Sequence, residues 1–247
     1  MKGLGRSAWQ LIVGWAFTCG YAIFAGTVTV LSLGLFANWL TPALLRVFGR
    51  TILRIQGVEL RVEGFEHLAS PAMRVATFNH TSLLDAMIIP VLNPTGGVSA
   101  IKREVLYIPF VGIAAWLMGF LLIDRGRSER AKQLLDRAAA RMKRERLTVF
   151  IAPEGTRSGN GELQAFKRGA FHLALASGAP IVPIVIHGAF ALRPRGQAVT
   201  SAGVVFVRIL PALDTSGLTA ETMARFSDEL HARYARELLA MKASCAP

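Results

Sequence analysis

Met73-Arg74-Val75-Ala76-Thr77-Phe78-Asn79-His80-Thr81-Ser82-Leu83-Leu84-Asp85 reads as a strand that ends in a polar loop and opens a helix. Met73–Phe78 is a nearly continuous apolar run with β-branched members, as expected of a strand covered on both faces. Ser82–Leu92 carries a helical pattern. The same alternation runs outward in both directions. Val58–Val62, Val98–Ile101, Phe120–Ile123, Leu147–Ile151, Ile181–Ile186 and Val204–Ile209 read as further strands. Ser128–Glu145, Lys167–Ala176 and Ala220–Met241 read as further helices. Such a succession, with no internal repeat or long linker, predicts an α/β sandwich from about Gly57 onward.

The loop in the opening stretch carries candidate chemistry. A neutral imidazole is the usual group for removing a hydroxyl proton near neutral pH. A carboxylate fixes its tautomer and stabilises the imidazolium. His80 and Asp85 are not at a helix-face spacing, which is three or four residues. They meet if His80 sits on the loop leaving the strand and Asp85 lies in the first turn of the next helix. By itself the pair fits a structural hydrogen bond as well as a catalytic one.

A second polar segment, Pro153-Glu154-Gly155-Thr156-Arg157-Ser158, also follows a strand. Gly155 permits close backbone approach or positive φ. Arg157 suits bidentate contact with a phosphate, and Thr156 and Ser158 are donors to it. Lys167 adds a cation, and Glu154 either faces the ligand or holds the loop. Two more strands end in charge, at Lys102 with Glu104 and at Asp124-Arg125, so Lys102 and Arg125 are further candidate phosphate contacts. Pro109 and Gly112 mark a loop after Lys102. Together these segments point to proton abstraction beside a phosphate-bearing substrate.

Composition bounds the partners. The chain of 247 residues carries 28 basic and 16 acidic residues, a net charge of +12. Anionic partners are therefore expected. Nucleic acid is the weaker choice because no nucleic-acid signature is present. An anionic membrane surface fits better, since 52 % of the residues are hydrophobic and the mean hydropathy is +0.41. The helix around Ser128–Glu145 is strongly basic, suiting a solvated face or an acidic partner. Cys19 and Cys245 make no disulfide framework, which predicts a reducing compartment.

The apolar excess lies at the N-terminus. From Ser7 to Leu45 there are 39 residues without a charge, about 58 Å as one helix. A bilayer core needs only about 20 residues. Gly20, Gly26 and Gly34 are places for a break. Lys2 and Arg6 before the run, and Arg46, Arg50 and Arg54 after it, favour a membrane-embedded hairpin with both ends cytoplasmic. Leu45, Phe48, Ile52 and Ile55 oppose those arginines, which reads as an amphipathic helix in the headgroup plane. Val47 and Gly49 break that pattern, and the alternative is a helix packed on the catalytic domain. Residues 1–56 are thus expected to anchor an α/β domain of residues 57–247. The apolar run is too long for a signal peptide and lacks a small-x-small cleavage site.

The polar blocks, taken in order, resemble the glycerophospholipid acyltransferase family, most closely its bacterial 1-acyl-glycerol-3-phosphate acyltransferases. The match comprises N-H-x4-D at Asn79–Asp85, K-x-E with the later Pro and Gly at Lys102–Gly112, and G-x-x-x-I-D-R at Gly119–Arg125. It continues with P-E-G-T-R-S at Pro153–Ser158, F-K-x-G at Phe166–Gly169 and V-P-I at Val182–Ile184. Ala152 and Leu122 stand where the family commonly has Phe, apolar changes that leave the polar roles intact. The resemblance implies an α/β fold with a mixed sheet flanked by helices, like glycerol-3-phosphate acyltransferase. It implies acyl transfer from acyl-CoA or acyl-carrier protein to the 2-hydroxyl of lysophosphatidic acid, giving phosphatidic acid. His80 is then the base and Asp85 its orienting partner. Lys102, Arg125, Glu154, Gly155, Thr156, Arg157, Ser158 and Lys167 form the substrate site. Neither a metal nor another cofactor is implied. The expected location is the bacterial inner membrane, with the site facing the cytoplasm. Another lysolipid acceptor is the nearest rival, then a thioesterase. A G-x-S-x-G nucleophile elbow is absent.

Overall fold

In chain order the molecule runs α1 (Lys2–Leu31), α2 (Ala37–Gln56), β1 (Val58–Glu63), α3 (Glu66–Ala69), β2 (Arg74–Phe78), α4 (Asp85–Leu92) and β3 (Gly97–Lys102). A 3-10 helix (Arg103–Tyr107) leads into α5 (Val111–Leu117), β4 (Leu121–Ile123), α6 (Ser128–Glu145) and β5 (Thr148–Ile151). The rest is α7 (Gly169–Ser177), β6 (Ile181–His187), α8 (Ala189–Leu192), β7 (Gly203–Ile209) and α9 (Met223–Ser244). The computed structural model describes residues 2–32, 37–70, 72–94, 96–123 and 128–244. Gly34, Asp124, Arg125 and Cys245 lie outside the described residues. Each strand expected from the sequence is present with ends shifted by no more than one residue.

The strands pair in the order β1-β7-β6-β2-β5-β3-β4. Neighbours are parallel except β6 and β7, so the sheet is mixed. Side chains alternate between two buried clusters, as the period-2 pleat requires. Val75, Val149 and Ile181 join α6, α7 and α9 on one face. Ala76, Phe150 and Val182 join α4 on the other, together with Leu53 of α2. The chain leaves β2 for α4 on one face and leaves β5 for α7 on the opposite face. Adjacent β2 and β5 therefore diverge at their C-terminal ends, opening the kind of crevice where open α/β sheets bind ligands.

The N-terminal helices form an antiparallel pair. Tyr21 donates its hydroxyl to the Leu44 carbonyl at 2.8 Å, and the Gln10 amide donates to the Gln56 carbonyl at 3.1 Å. Helix α1 runs unbroken through Gly20 and Gly26, so neither glycine supplies the expected break. The stretch Ser7–Leu31 is long and apolar enough to cross a membrane. Helix α2 takes the packed arrangement that was the alternative to the amphipathic reading. It packs on α4, and a Cβ at Gly49 would lie 2.6 Å from the Met87 carbonyl oxygen. Glycine is needed there for close approach, which outweighs its helix cost of roughly 1 kcal/mol. Leu53 is buried in this contact, Ile52 lies beside Gly14 of α1, and Arg46 donates to the Asn93 carbonyl at 2.6 Å.

Candidate active site

The site begins where β2 leaves the sheet. Asn79 is buried, and its side-chain amide extends the ladder beyond the strand. It donates to the Ile186 carbonyl at 2.9 Å and accepts from the Ile186 N–H at 2.7 Å. That clamp fixes the direction in which His80 emerges.

Asp85 opens α4 with no solvent exposure. Its Oδ2 accepts from the backbone N–H groups of Thr81 at 2.9 Å and Ser82 at 3.0 Å. The same oxygen lies 2.8 Å from His80 Nδ1. An ionised carboxylate only accepts, so Nδ1 carries the proton and Nε2 presents its lone pair. The five-residue spacing works because a strand tip and a helix start face each other across one turn. The ring stays accessible, with 22 % of the side chain exposed, and the Phe78 ring packs edge-on against it.

The Pro153–Ser158 loop is fastened to His80 from both sides of its backbone. The His80 N–H donates to Glu154 Oε1 at 2.5 Å, and the Ser158 N–H donates to the His80 carbonyl at 2.9 Å. Glu154 Oε2 accepts from the Gln164 N–H at 3.0 Å, gathering the next loop as well. Burial pushes the Glu154 carboxyl up to about 7. The two backbone donors oppose that rise, and the Asp85 charge adds to it.

Each sequence-predicted residue can now be placed. Gly155 has φ +70, and a Cβ there would meet Lys167 Cδ at 2.8 Å, so the lysine lies across the glycine turn. Lys167 also donates its N–H to the Pro153 carbonyl at 2.7 Å. Thr156 is half-buried and bonds the Arg157 carbonyl at 3.2 Å. Arg157 and Lys167 form no ion pair with a carboxylate among the described residues, which leaves both cations available to an anion. Lys102 is exposed at the tip of β3, two strand positions from β2, about 10 Å by strand spacing. Glu154 and Ser158 take loop-holding places rather than open ligand-facing ones. Ser158 is fully buried, donating to Asn160 Oδ1 at 2.9 Å and accepting from the Gly161 N–H at 3.0 Å.

Two contributors were not assigned from sequence. Asn79 stood beside His80, but its role depends on β6 lying next to β2. Arg193, just after α8, accepts at its carbonyl from the Ser82 hydroxyl at 2.8 Å. Burial and the neighbouring Arg157 charge push its guanidinium below the usual range. No local signal marked it. A like-charged pair beside a base-bearing crevice is an environment suited to an anion.

The chain is similar to known proteins over most of its length. A family model described as Acyltransferase matches residues 59–187. Human 1-acyl-sn-glycerol-3-phosphate acyltransferase beta is 36 % identical over 184 residues, covering 74 % of this chain. The corresponding human alpha protein is 34 % identical over 187 residues, or 76 % of this chain. This chain spans 66 % of the length of either human relative. The Saccharomyces cerevisiae 1-acyl-sn-glycerol-3-phosphate acyltransferase is 32 % identical over 217 residues, covering 86 % of this chain and 70 % of its own. The solved 1-acyl-sn-glycerophosphate (LPA) acyltransferase PlsC from Thermotoga maritima superposes with a TM-score of 0.81 at 25 % identity. That superposition covers 97 % of this chain and 98 % of the other.

Proposed function

Because this chain belongs to the Acyltransferase family, we propose that it moves a fatty acyl group from acyl-CoA or acyl-carrier protein to the 2-hydroxyl of lysophosphatidic acid. His80 Nε2 takes the hydroxyl proton as the oxygen attacks the thioester carbonyl. Asp85 holds the opposite N–H and stabilises the imidazolium. The tetrahedral adduct collapses, the C–S bond breaks, and the imidazolium returns the proton to the departing thiolate. An ester and a free thiol result, with no acyl-enzyme. Arg157 and Lys167 hold the acceptor phosphate, with Lys102 at a neighbouring strand end; Arg125, expected to join them, lies outside the described residues.

The observation that carries this reading is the double fastening of His80 to the Pro153–Ser158 loop. That fastening supports a reading in which His80 and Arg157, on adjoining turns, act on one glycerol phosphate.

Membrane attachment supports a lipid acceptor. Helix α1 touches the catalytic domain along its length, at Thr200 through Gln10 and at Leu117 beside Gly26. Its outer face is apolar and exposed, at Ile12, Trp15 and Leu31. This geometry favours a helix seated in one leaflet beside the domain. We place the site at the cytoplasmic surface of a bacterial inner membrane, an orientation that the exposed Arg50 and Arg54 favour by the positive-inside tendency.

The test is a panel of lysolipid acceptors and both donor classes on purified protein, with products identified by mass spectrometry. Phosphatidic acid from lysophosphatidic acid is the expected product. Turnover of other lysolipids alone overturns the acceptor. Thiol release at the full rate without any acceptor means that water replaces the alcohol.

A further inference from the structure

Beyond β3 the chain enters a segment that the proposed chemistry leaves unused. The 3-10 helix and α5 follow Lys102, at the sheet end that also carries His80. Helix α5 has two unlike sides. Gly112, Ala114 and Ala115 are buried, while Ile113 is 64 % and Trp116 66 % exposed. Tyr107, ending the 3-10 helix, is 79 % exposed. Free in water, such a face would be an unusual apolar surface for a globular protein.

The entry to α5 is strained toward the outside. Phe110 has φ 63 and ψ −45, and the Val111 N–H bonds the Pro109 carbonyl at 2.7 Å. This is the rare, strained form of the γ-turn. Strain of this kind persists where neighbouring structure over-determines it and gathers at sites of contact. Here the result is a half-exposed phenylalanine beside Tyr107 and Ile113.

Helix α5 also adjoins α1. A Cβ on Gly26 would meet Leu117 Cδ1 at 3.4 Å, and Ala25 shares a buried cluster with Met118 and Leu44. Two touching helices thus each turn a large apolar face outward. Lys102 and Arg103 are exposed at the start of the segment. Aliphatic residues flanked by Tyr, Trp and basic side chains are the composition of a bilayer interface.

We propose that the 3-10 helix and α5 form a second membrane-inserting element, seated in an anionic bilayer beside α1. A lysolipid then reaches the His80 edge of the sheet without leaving the interface. This rests on the reading of α1 as membrane-attached, and the experiment separates the two.

The triple variant W9F/W15F/W39F leaves Trp116 as the remaining indole, and its retained turnover certifies the fold. It is mixed with phosphatidylglycerol vesicles whose acyl chains are brominated at stepped depths, and binding is followed by co-sedimentation. Trp116 fluorescence falls severalfold in brominated vesicles, most at shallow bromine positions. In parallel, I113D/W116D weakens vesicle partition about tenfold or more, by loss of two large apolar burials, while turnover of a short-chain soluble acceptor is kept. Vesicle binding with unquenched Trp116 overturns this proposal and leaves α1 as the anchor. No vesicle binding at all overturns both. Trp116 shielded from iodide without lipid, in a dimer seen by analytical ultracentrifugation, assigns the patch to a second copy and overturns it as well.

Discussion

Asp85 and Glu154 are carboxylates with at most 1 % exposure, whereas Ile12 and Leu31 of α1 are apolar side chains 69 % and 76 % exposed. The two regions invert the usual division of a protein in opposite directions. Burying a carboxylate is costly unless hydrogen bonds satisfy it. At the crevice Asp85 Oδ2 gathers His80 Nδ1 and two backbone N–H groups, and Glu154 gathers two more. Exposing large apolar surface is unfavourable in water but not against hydrocarbon. One region spends its hydrogen bonds on holding the His80 imidazole. The other carries an apolar surface that fits membrane association. The proposed chemistry and the proposed attachment thus rest on opposite violations of one rule, and they can be broken separately.

The largest separation is expected from His80→Ala. A positioned general base contributes about 10²–10⁴-fold, so turnover falls by about that factor while co-sedimentation with vesicles is unchanged. Equal loss of both would mean that the crevice and the membrane face are not independent. Arg157→Ala comes next. A charge-assisted contact contributes roughly 1.5–3 kcal/mol, so KM for the lysolipid rises about tenfold to a hundredfold with a smaller change in kcat. An unchanged KM would remove Arg157 from the phosphate site.

The smallest effect sharpens the buried side of the comparison. The Glu154 carboxyl is raised from 4.5 to about 7, so between those values the folded state keeps a proton that the unfolded state has released. Its contribution to stability is therefore fully present below pH 4.5 and is lost as pH rises toward 7. That loss is on the order of 3 kcal/mol. Denaturant titrations across this window should show a flatter pH slope for Glu154→Gln than for the unchanged protein. Parallel slopes would mean that the two N–H donors keep Glu154 ionised throughout.

The contact between His80 and Asp85 was legible because its parts are close in sequence and the strand-loop-helix context is periodic. The loop Pro153–Ser158 was legible from its residue types. The roles inside it were not: Glu154 and Ser158 carry polar groups that suit a phosphate, yet both are turned inward to hold His80 and the loop. Pro109 and Gly112 mark a loop after Lys102 in the sequence, where the fold forms α5. In the fold Gly112 is buried at the start of the helix, after a γ-turn that no propensity anticipates.

Side-chain periodicity and the short His80-to-Asp85 spacing belong to the chain itself, since backbone geometry repeats every two or every 3.6 residues. They determined the alternating strands and helices, and the pairing of His80 with Asp85. Tertiary structure decided what depends on which strands become neighbours. It set Asn79 against β6, Glu154 across to His80, Gly49 of α2 onto α4, and Arg193 beside Arg157. Those contacts join residues far apart in the chain, and their free energy depends on burial and distance, which exist only once the sheet order is formed.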